Sequence, residues 1–276
     1  MKLPPDAPEI IDYRCNICGA GNRLEARRFR RELALCEGCG SNVRFRGIVG
    51  ILAQILGVEA ALPLRQWPRR ADVRGLGMSD WGGYAGLLEQ AFRYENTFYD
   101  RPPRLDIQQP DEALRGVHDF VISSDVFEHI LPPLQRGFDN LFALLKPGGS
   151  LIFSVPYNRS GQTVEHFPGL HEFELLDFRG GKILVNRDPA GGLQVYDGLV
   201  FHGGEGATLE MRLFCEADVL RRLALAGFEA IRVHEQPQLS CGYYWPYLES
   251  LDPQAPPLFA YLVSARKPAA VLGASR

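Results

Sequence analysis

Four cysteines, Cys15, Cys18, Cys36 and Cys39, form two C-x2-C pairs separated by 17 residues, a spacing that suits a structural zinc site. A glycine follows each pair, Gly19 and Gly40, and lets the chain turn tightly enough for backbone amides to approach the sulfurs. Zinc closes a tetrahedron with four thiolates and keeps no position for substrate, so the expected Zn2+ role is structural. Redox use of either pair calls for a strand-then-helix setting, which neither has. Cys215 and Cys241 stand alone and read as small core hydrophobes. A second set, Ser124, Asp125, Glu128 and His129, follows the apolar run that begins at Asp119. An imidazole, titrating near neutrality, can take the proton of an acceptor hydroxyl there. The alternative role for Glu128 and His129 is to cap the helix that follows.

The elements that must position these groups have to be built from 276 residues, 46% hydrophobic and 23% charged. That is enough for one large α/β domain and a small appendage, and no apolar run approaches the roughly 18 residues of a membrane span. The opening Met1 to Asp6 lacks the apolar run of a secretory signal, so the cysteines are read as residents of a reducing, cytoplasmic compartment. Residues 1–50 carry Lys2 and eight arginines against six acids, a balance of +3 that leaves −6 for the remainder. An anionic partner for the N-terminal module, or simple solvation of a small module by arginine, both account for the asymmetry.

Three stretches divide the chain: a zinc ribbon over 1–48, a connecting helix and linker over 49–70, and a main domain over 71–270. Asn42 offers a helix start, and apolar residues from Val43 to Leu56 recur at helical spacing, predicting a helix over 43–57. Pro63 and Pro68 mark the linker. From residue 71 short apolar runs alternate with amphipathic stretches, the pattern of parallel strands joined by helices. Strands are expected at 72–76, 96–99, 118–123, 150–155, 229–234 and 258–265, and helices near 82–93, 132–145 and 216–226.

Three segments resemble class I S-adenosylmethionine-dependent methyltransferases of the type 11/12-like branch. They are the strand and polar turn Asp119 to Ile130, the Lys146-Pro147-Gly148-Gly149 run into an apolar strand, and Glu216 to Leu220 leading to Ala226-Gly227-Phe228. The resemblance covers about 71–266 and implies a Rossmann-like, seven-stranded sheet with S-adenosylmethionine bound across its carboxyl edge. The implied cofactor set is Gly75, Gly77, Ser79, Asp80, Asp100, Asp106, Ile107, Ser124 and Asp125. The glycine loop departs from the family: aligned on Gly77, Gly75 stands where an acid is usual and Ser79 where a second glycine is usual, with Asp80 or Asp125 left to supply the polar contact. Asp100 lies 23 residues past Gly77, the spacing at which an acid meets ribose hydroxyls. The resemblance places Asp106 and Ile107 near the adenine amino group.

Between Tyr157 and Leu213 lies an insert at 157–213 rich in polar, aromatic and glycine residues, including His166, His171, His202 and Glu210. Long segments at the functional edge of a scaffold carry specificity. The insert is expected to form the acceptor pocket, with His129, His171 and His202 as the catalytic groups. No compact ligand spacing among these histidines marks a second metal site. The expected activity is methyl transfer to oxygen or nitrogen of a small-molecule or glycan-type acceptor. Two rival readings are an RNA acceptor gripped by the basic ribbon, and a non-catalytic scaffold on the same fold. The oligomeric state is not read from the sequence.

Overall fold

Asn42 turns the chain from the cysteine-rich segment into its first long helix. Its backbone is extended and its Oδ1 accepts from the Phe45 amide at 2.9 Å, satisfying one of the donors that a helix start leaves open. Helix α1 runs Val43–Leu56 and stops at Gly57, whose φ of 65° is the left-handed conformation glycine adopts at low cost. Ahead of it, β1 (Ile10–Arg14) pairs antiparallel with β2 (Gly21–Glu25). The protein is seen here as a computed structural model, described over residues 8–159, 161–202, 208–244 and 257–270.

The main sheet is built from β3 (Arg70–Met78), β4 (Phe92–Thr97), β5 (His118–Ser124), β6 (Leu145–Ser154), β15 (Glu229–Val233) and β16 (Val263–Arg266), in the order β15-β16-β6-β5-β3-β4. The β4, β3, β5 and β6 strands are parallel, and β16 and β15 run antiparallel at one edge. Helices α2 (Gly82–Ala91), α3 (Leu134–Leu144) and α4 (Glu216–Leu225) lie close to the predicted spans. Two strands move: the one expected at 96–99 occupies Phe92–Thr97, and the last begins at Val263. The Lys146-Pro147-Gly148-Gly149 run lies within β6 rather than ahead of it, with Gly148 at a φ of 80°.

Among the described residues the sheet has six strands, not the seven expected. The segment after β4, where a further edge strand would begin, holds Pro102, Pro103 and Pro110, and proline cannot donate to a ladder. Asp106 and Asp111 accept from the amides of Gln108 and Ala113, so the segment closes into aspartate turns instead.

The insert is also more regular than its composition indicates. It carries β7 (Tyr157–Asn158), β8 (Val164–Glu165), β9 (Glu172–Phe178), β10 (Gly181–Arg187), β11 (Leu193–Tyr196), β12 (Phe201–His202), β13 (Thr208–Leu209) and β14 (Arg212–Cys215). Strands β9, β10 and β11 form an antiparallel meander, β12 pairs with β13, and β14 lies between β7 and β8.

One apolar core joins the cysteine-rich segment to the sheet, running from Ile11, Tyr13 and Phe29 through Ile48 and Leu52 to Phe120, Ile122 and Ile152. Each such side chain contributes about 1.5–3 kcal/mol by burial. Gly47 brings α1 against the C-terminal segment, because a Cβ there would collide with Tyr243 and Leu262. Arg46, fully buried, donates to the carbonyls of Ser41 (2.5 Å), Ala34 (3.0 Å) and Gly242 (3.0 Å) and lies over the Tyr13 ring. Cys215 and Cys241 are both buried. Among the described residues, no helix is long and apolar enough to cross a membrane.

Candidate functional site

The four cysteines come together through two near-identical turns. In one, Cys15 N donates to Ala20 O (2.9 Å) and Gly19 N to Cys15 O (2.8 Å); in the other, Cys36 N donates to Ser41 O (2.9 Å) and Gly40 N to Cys36 O (2.8 Å). Gly19 and Gly40 hold φ values of 82° and 75°, which a side chain would strain. The Sγ atoms of Cys15 and Cys39 are 3.8 Å apart and those of Cys18 and Cys36 3.6 Å apart. A zinc–sulfur bond of about 2.3 Å in a tetrahedron requires sulfur edges of about 3.8 Å. The Ala20 amide and the Asn22 side-chain amide each reach a sulfur at 3.5 Å.

At the carboxyl end of β5 the sequence puts Ser123, Ser124 and Asp125, and the N-terminal module meets them. Arg31 donates to both Asp125 oxygens, at 2.5 and 2.6 Å, and to Ser154 Oγ at 3.1 Å. Arg44, from the first turn of α1, donates to Ser124 Oγ at 3.0 Å and stands 3.5 Å from Asp125. Burial pushes the Asp125 carboxyl up, but Arg31 and Arg44 outweigh it and hold the group at about 2. Neither arginine was picked out by sequence reasoning, because no spacing rule connects position 31 or 44 with position 125. Ser123 Oγ, Arg31 Nε and Glu128 Oε2 are buried without a hydrogen-bond partner among the described residues. Leaving such atoms unmade costs about 1–3 kcal/mol each, which makes them places for a ligand to complete.

The glycine loop lies next to this edge. Gly75 is packed under Phe120, with which an added Cβ would collide, so its role in the structure is to let β3 and β5 approach. At Gly77 a Cβ would collide with Tyr94 Oη and Asp80 Oδ2. Ser79 has a φ of 57° and donates its amide to Thr97 O at 2.7 Å. Asp80 is buried: Tyr94 donates to its carboxylate, and Asn96 bonds its backbone on both sides. Burial pushes its carboxyl up to about 7 against the hydrogen bonds of Tyr84 and Tyr94. Tyr94 and Asn96, on β4, are a further part of this shell that the sequence did not reveal. Asp100 is exposed, with Arg101 3.8 Å away; Asp106 accepts the turn bond from Gln108, and Ile107 is buried.

The insert is fastened over the turn that follows Asp125. Arg212, fully buried, donates to the carbonyls of Phe127 (2.9 Å) and Ile130 (2.7 Å) and pairs with Glu165 at 2.9 Å. Met211 N donates to Glu128 O at 2.7 Å. His129 Nδ1 bonds Leu209 O at 2.9 Å, and its Nε2 lies 3.9 Å from Glu128 Oε1. The rings of His129 and His202 are 5.4 Å apart and nearly perpendicular. Glu210 stands between two histidines, 2.8 Å from His166 Nε2 and 3.1 Å from His202 Nε2. Burial lowers the His129 pKa and raises that of Glu128 well above the carboxylate range.

Helix α3 has Pro133 at its N-cap and no side-chain cap; Glu128 and His129 instead face the insert. His171 does not join the group: it is exposed ahead of β9, its amide donating to Asn186 Oδ1. His166 and Glu210 take the place expected of it.

Several solved structures are similar at low identity. One is the 1,6-didemethyltoxoflavin-N1-methyltransferase of Burkholderia thailandensis, at 17% identity, covering 79% of this chain and 75% of that one, with a TM-score of 0.41. An amino pentose methyltransferase of Micromonospora echinaspora matches at 13%, covering 83% and 93%, with a TM-score of 0.40. Phosphoethanolamine N-methyltransferase 2 of Haemonchus contortus matches at 13% and a TM-score of 0.41, covering 78% of this chain but 52% of that one, so this chain spans about half its length. No curated protein sequence matches the chain. The methyltransferase-domain family matches residues 24–196, more than half of the chain and inclusive of the second cysteine pair, the glycine loop and the 124–129 turn. On that match the chain belongs to the methyltransferase-domain family and is an S-adenosylmethionine-dependent methyltransferase.

Proposed function

We propose that the enzyme methylates an oxygen or nitrogen of a small-molecule or glycan-type acceptor held between the 124–129 turn and the 157–213 insert. The supporting observation is the fastening of the insert to that turn through Arg212, Leu209 and Glu210, which gathers His129, His202, His166 and two glutamates at one place. This is a dense titratable group at the carboxyl edge of an open α/β sheet, where such folds take ligands. Before chemistry, neutral His129 has its proton on Nδ1, because Leu209 O only accepts, and a bare Nε2 that can take the acceptor's proton.

The residues fit the cofactor. Buried polar atoms without partners border the edge, and the donor set is mixed in charge as a zwitterionic amino acid requires. When bound, S-adenosylmethionine supplies a sulfonium methyl group, and the chain's own part is positioning. Asp100 would take the ribose hydroxyls, Asp106 and Ile107 the adenine, and Gly77, Ser79, Asp80, Ser124 and Asp125 the methionine portion. Arg44, resting over Ser124, adds a guanidinium for the carboxylate.

In the N-terminal module, Cys15, Cys18, Cys36 and Cys39 would hold Zn2+ as a structural ion, in keeping with a reducing cytoplasmic setting. The module's arginines favour a small acceptor over RNA: Arg31, Arg44 and Arg46 point inward, Arg23 pairs with Asp12, and Arg27 pairs with Glu25. Calorimetric titration with S-adenosylhomocysteine tests the cofactor assignment. One site per chain is expected, and absence of binding at millimolar ligand would overturn the placement of the cofactor at this edge.

A further inference from the structure

Glu128, His129 and His202 are 74 residues apart at their extremes, yet one ligand atom from each lies within 4.8 Å of the other two. Among the described residues the Glu128 carboxyl, almost fully buried, has one oxygen without a partner and the other 3.9 Å from His129 Nε2. That separation is too long for a hydrogen bond. Since Leu209 O fixes the His129 proton on Nδ1, Nε2 presents a lone pair towards the Glu128 carboxyl. A metal ion would take up that lone pair and displace the carboxyl proton, joining the two groups.

We propose that Glu128, His129 and His202 bind a divalent transition-metal ion. The supporting contacts are those a metal site needs one layer out. Leu209 O orients His129, and Glu210 orients His202 while itself held by His166. Two imidazoles and one carboxylate make a three-ligand set that leaves further positions open. The site rests on the methyltransferase reading only for its use: an acceptor hydroxyl at an open position would lose its proton to solvent more readily. The Nε2 lone pair of His129 would then hold the ion instead of taking that proton. His202 arrives on β12 from the insert, so the ion would also fasten the insert to the sheet edge.

The test needs neither cofactor nor acceptor, so its failure is distinct from failure of the methyl-transfer reading. The full chain, with its thiolate site loaded with zinc, is dialysed against Mn2+ and separately against Co2+. Mn2+ favours nitrogen and oxygen donors and leaves the zinc-loaded thiolates alone. One Mn2+ or Co2+ per chain is expected, with binding more than tenfold weaker in His202→Ala and in Glu128→Gln, and unchanged in His171→Ala. Glu210→Gln should weaken it by a smaller factor. His202 is surface-exposed, so His202→Ala keeps the fold, and a matching circular dichroism melt confirms this. Binding of neither ion, or wild-type affinity in His202→Ala, overturns the proposal.

Discussion

Arg31 and Asp125 form a two-pronged ion pair, at 2.5 and 2.6 Å, across ninety-four residues of sequence. The pair joins the cysteine-rich segment to the turn at the end of β5, and it makes the stability of that junction depend on pH. The unfolded Asp125 carboxyl takes up a proton near pH 4, while the folded one resists until about pH 2. Its contribution, about 2 kcal/mol, is therefore complete above pH 4 and lost as pH falls towards 2. Asp125→Asn should lower stability at pH 7 by about 2 kcal/mol, since Arg31, buried and paired as well with Glu32 at 2.6 Å, loses its two-pronged partner. Urea unfolding at pH 7 and pH 3 should show the gap to wild type narrowing with acid; a constant gap would contradict the pairing.

Asp100→Ala should weaken S-adenosylhomocysteine binding by about 1.5–3 kcal/mol, the worth of charge-assisted hydrogen bonds to ribose. Because the side chain is exposed, the fold should be indifferent to the change. Unaltered affinity by calorimetry would move the ribose elsewhere.

Elemental analysis should find zinc in protein purified without added metal, and Cys36→Ser should remove it. The sequence alone leads one to expect a chelator to melt the ribbon ahead of the main domain. The common core changes that expectation: chelation should lower the midpoint of a single transition, seen alike by tryptophan fluorescence and far-ultraviolet circular dichroism. Two separated transitions would show the ribbon unfolding independently.

Once an acceptor is known, His129→Ala and His202→Ala should each reduce turnover at least a hundredfold while S-adenosylhomocysteine affinity stays within twofold. His171→Ala, remote from the cluster, should retain wild-type turnover. Full activity in the first two variants would leave the insert a structural part.

Much of the frame was legible because it is local. The Asn42 cap, the two cysteine turns and the buried run Phe120 to Ile122 announce themselves through neighbours in sequence. The missing edge strand was readable in principle from Pro102, Pro103 and Pro110, yet the resemblance outweighed them. The insert's strands stayed hidden because the alternation of β9 breaks at Leu175-Leu176 after only four residues, and no buried face of that strand reinforces it. The site's long-range closures, Arg31 to Asp125, Arg212 to Phe127 and Ile130, and His129 to His202, depend on tertiary packing that no spacing encodes.

Arg46 bears on how this enzyme can be handled. Its guanidinium is lodged among carbonyl oxygens contributed by residues 34, 41 and 242, so segments far apart in the chain are clasped through one side chain. A truncation that starts at the sheet, or stops before residue 242, strips away part of that clasp and bares the apolar surface beneath α1. The cysteine-rich segment is accordingly a keystone rather than a detachable accessory: expressing the sheet by itself should give insoluble protein, whereas fusions at either terminus leave the clasp whole.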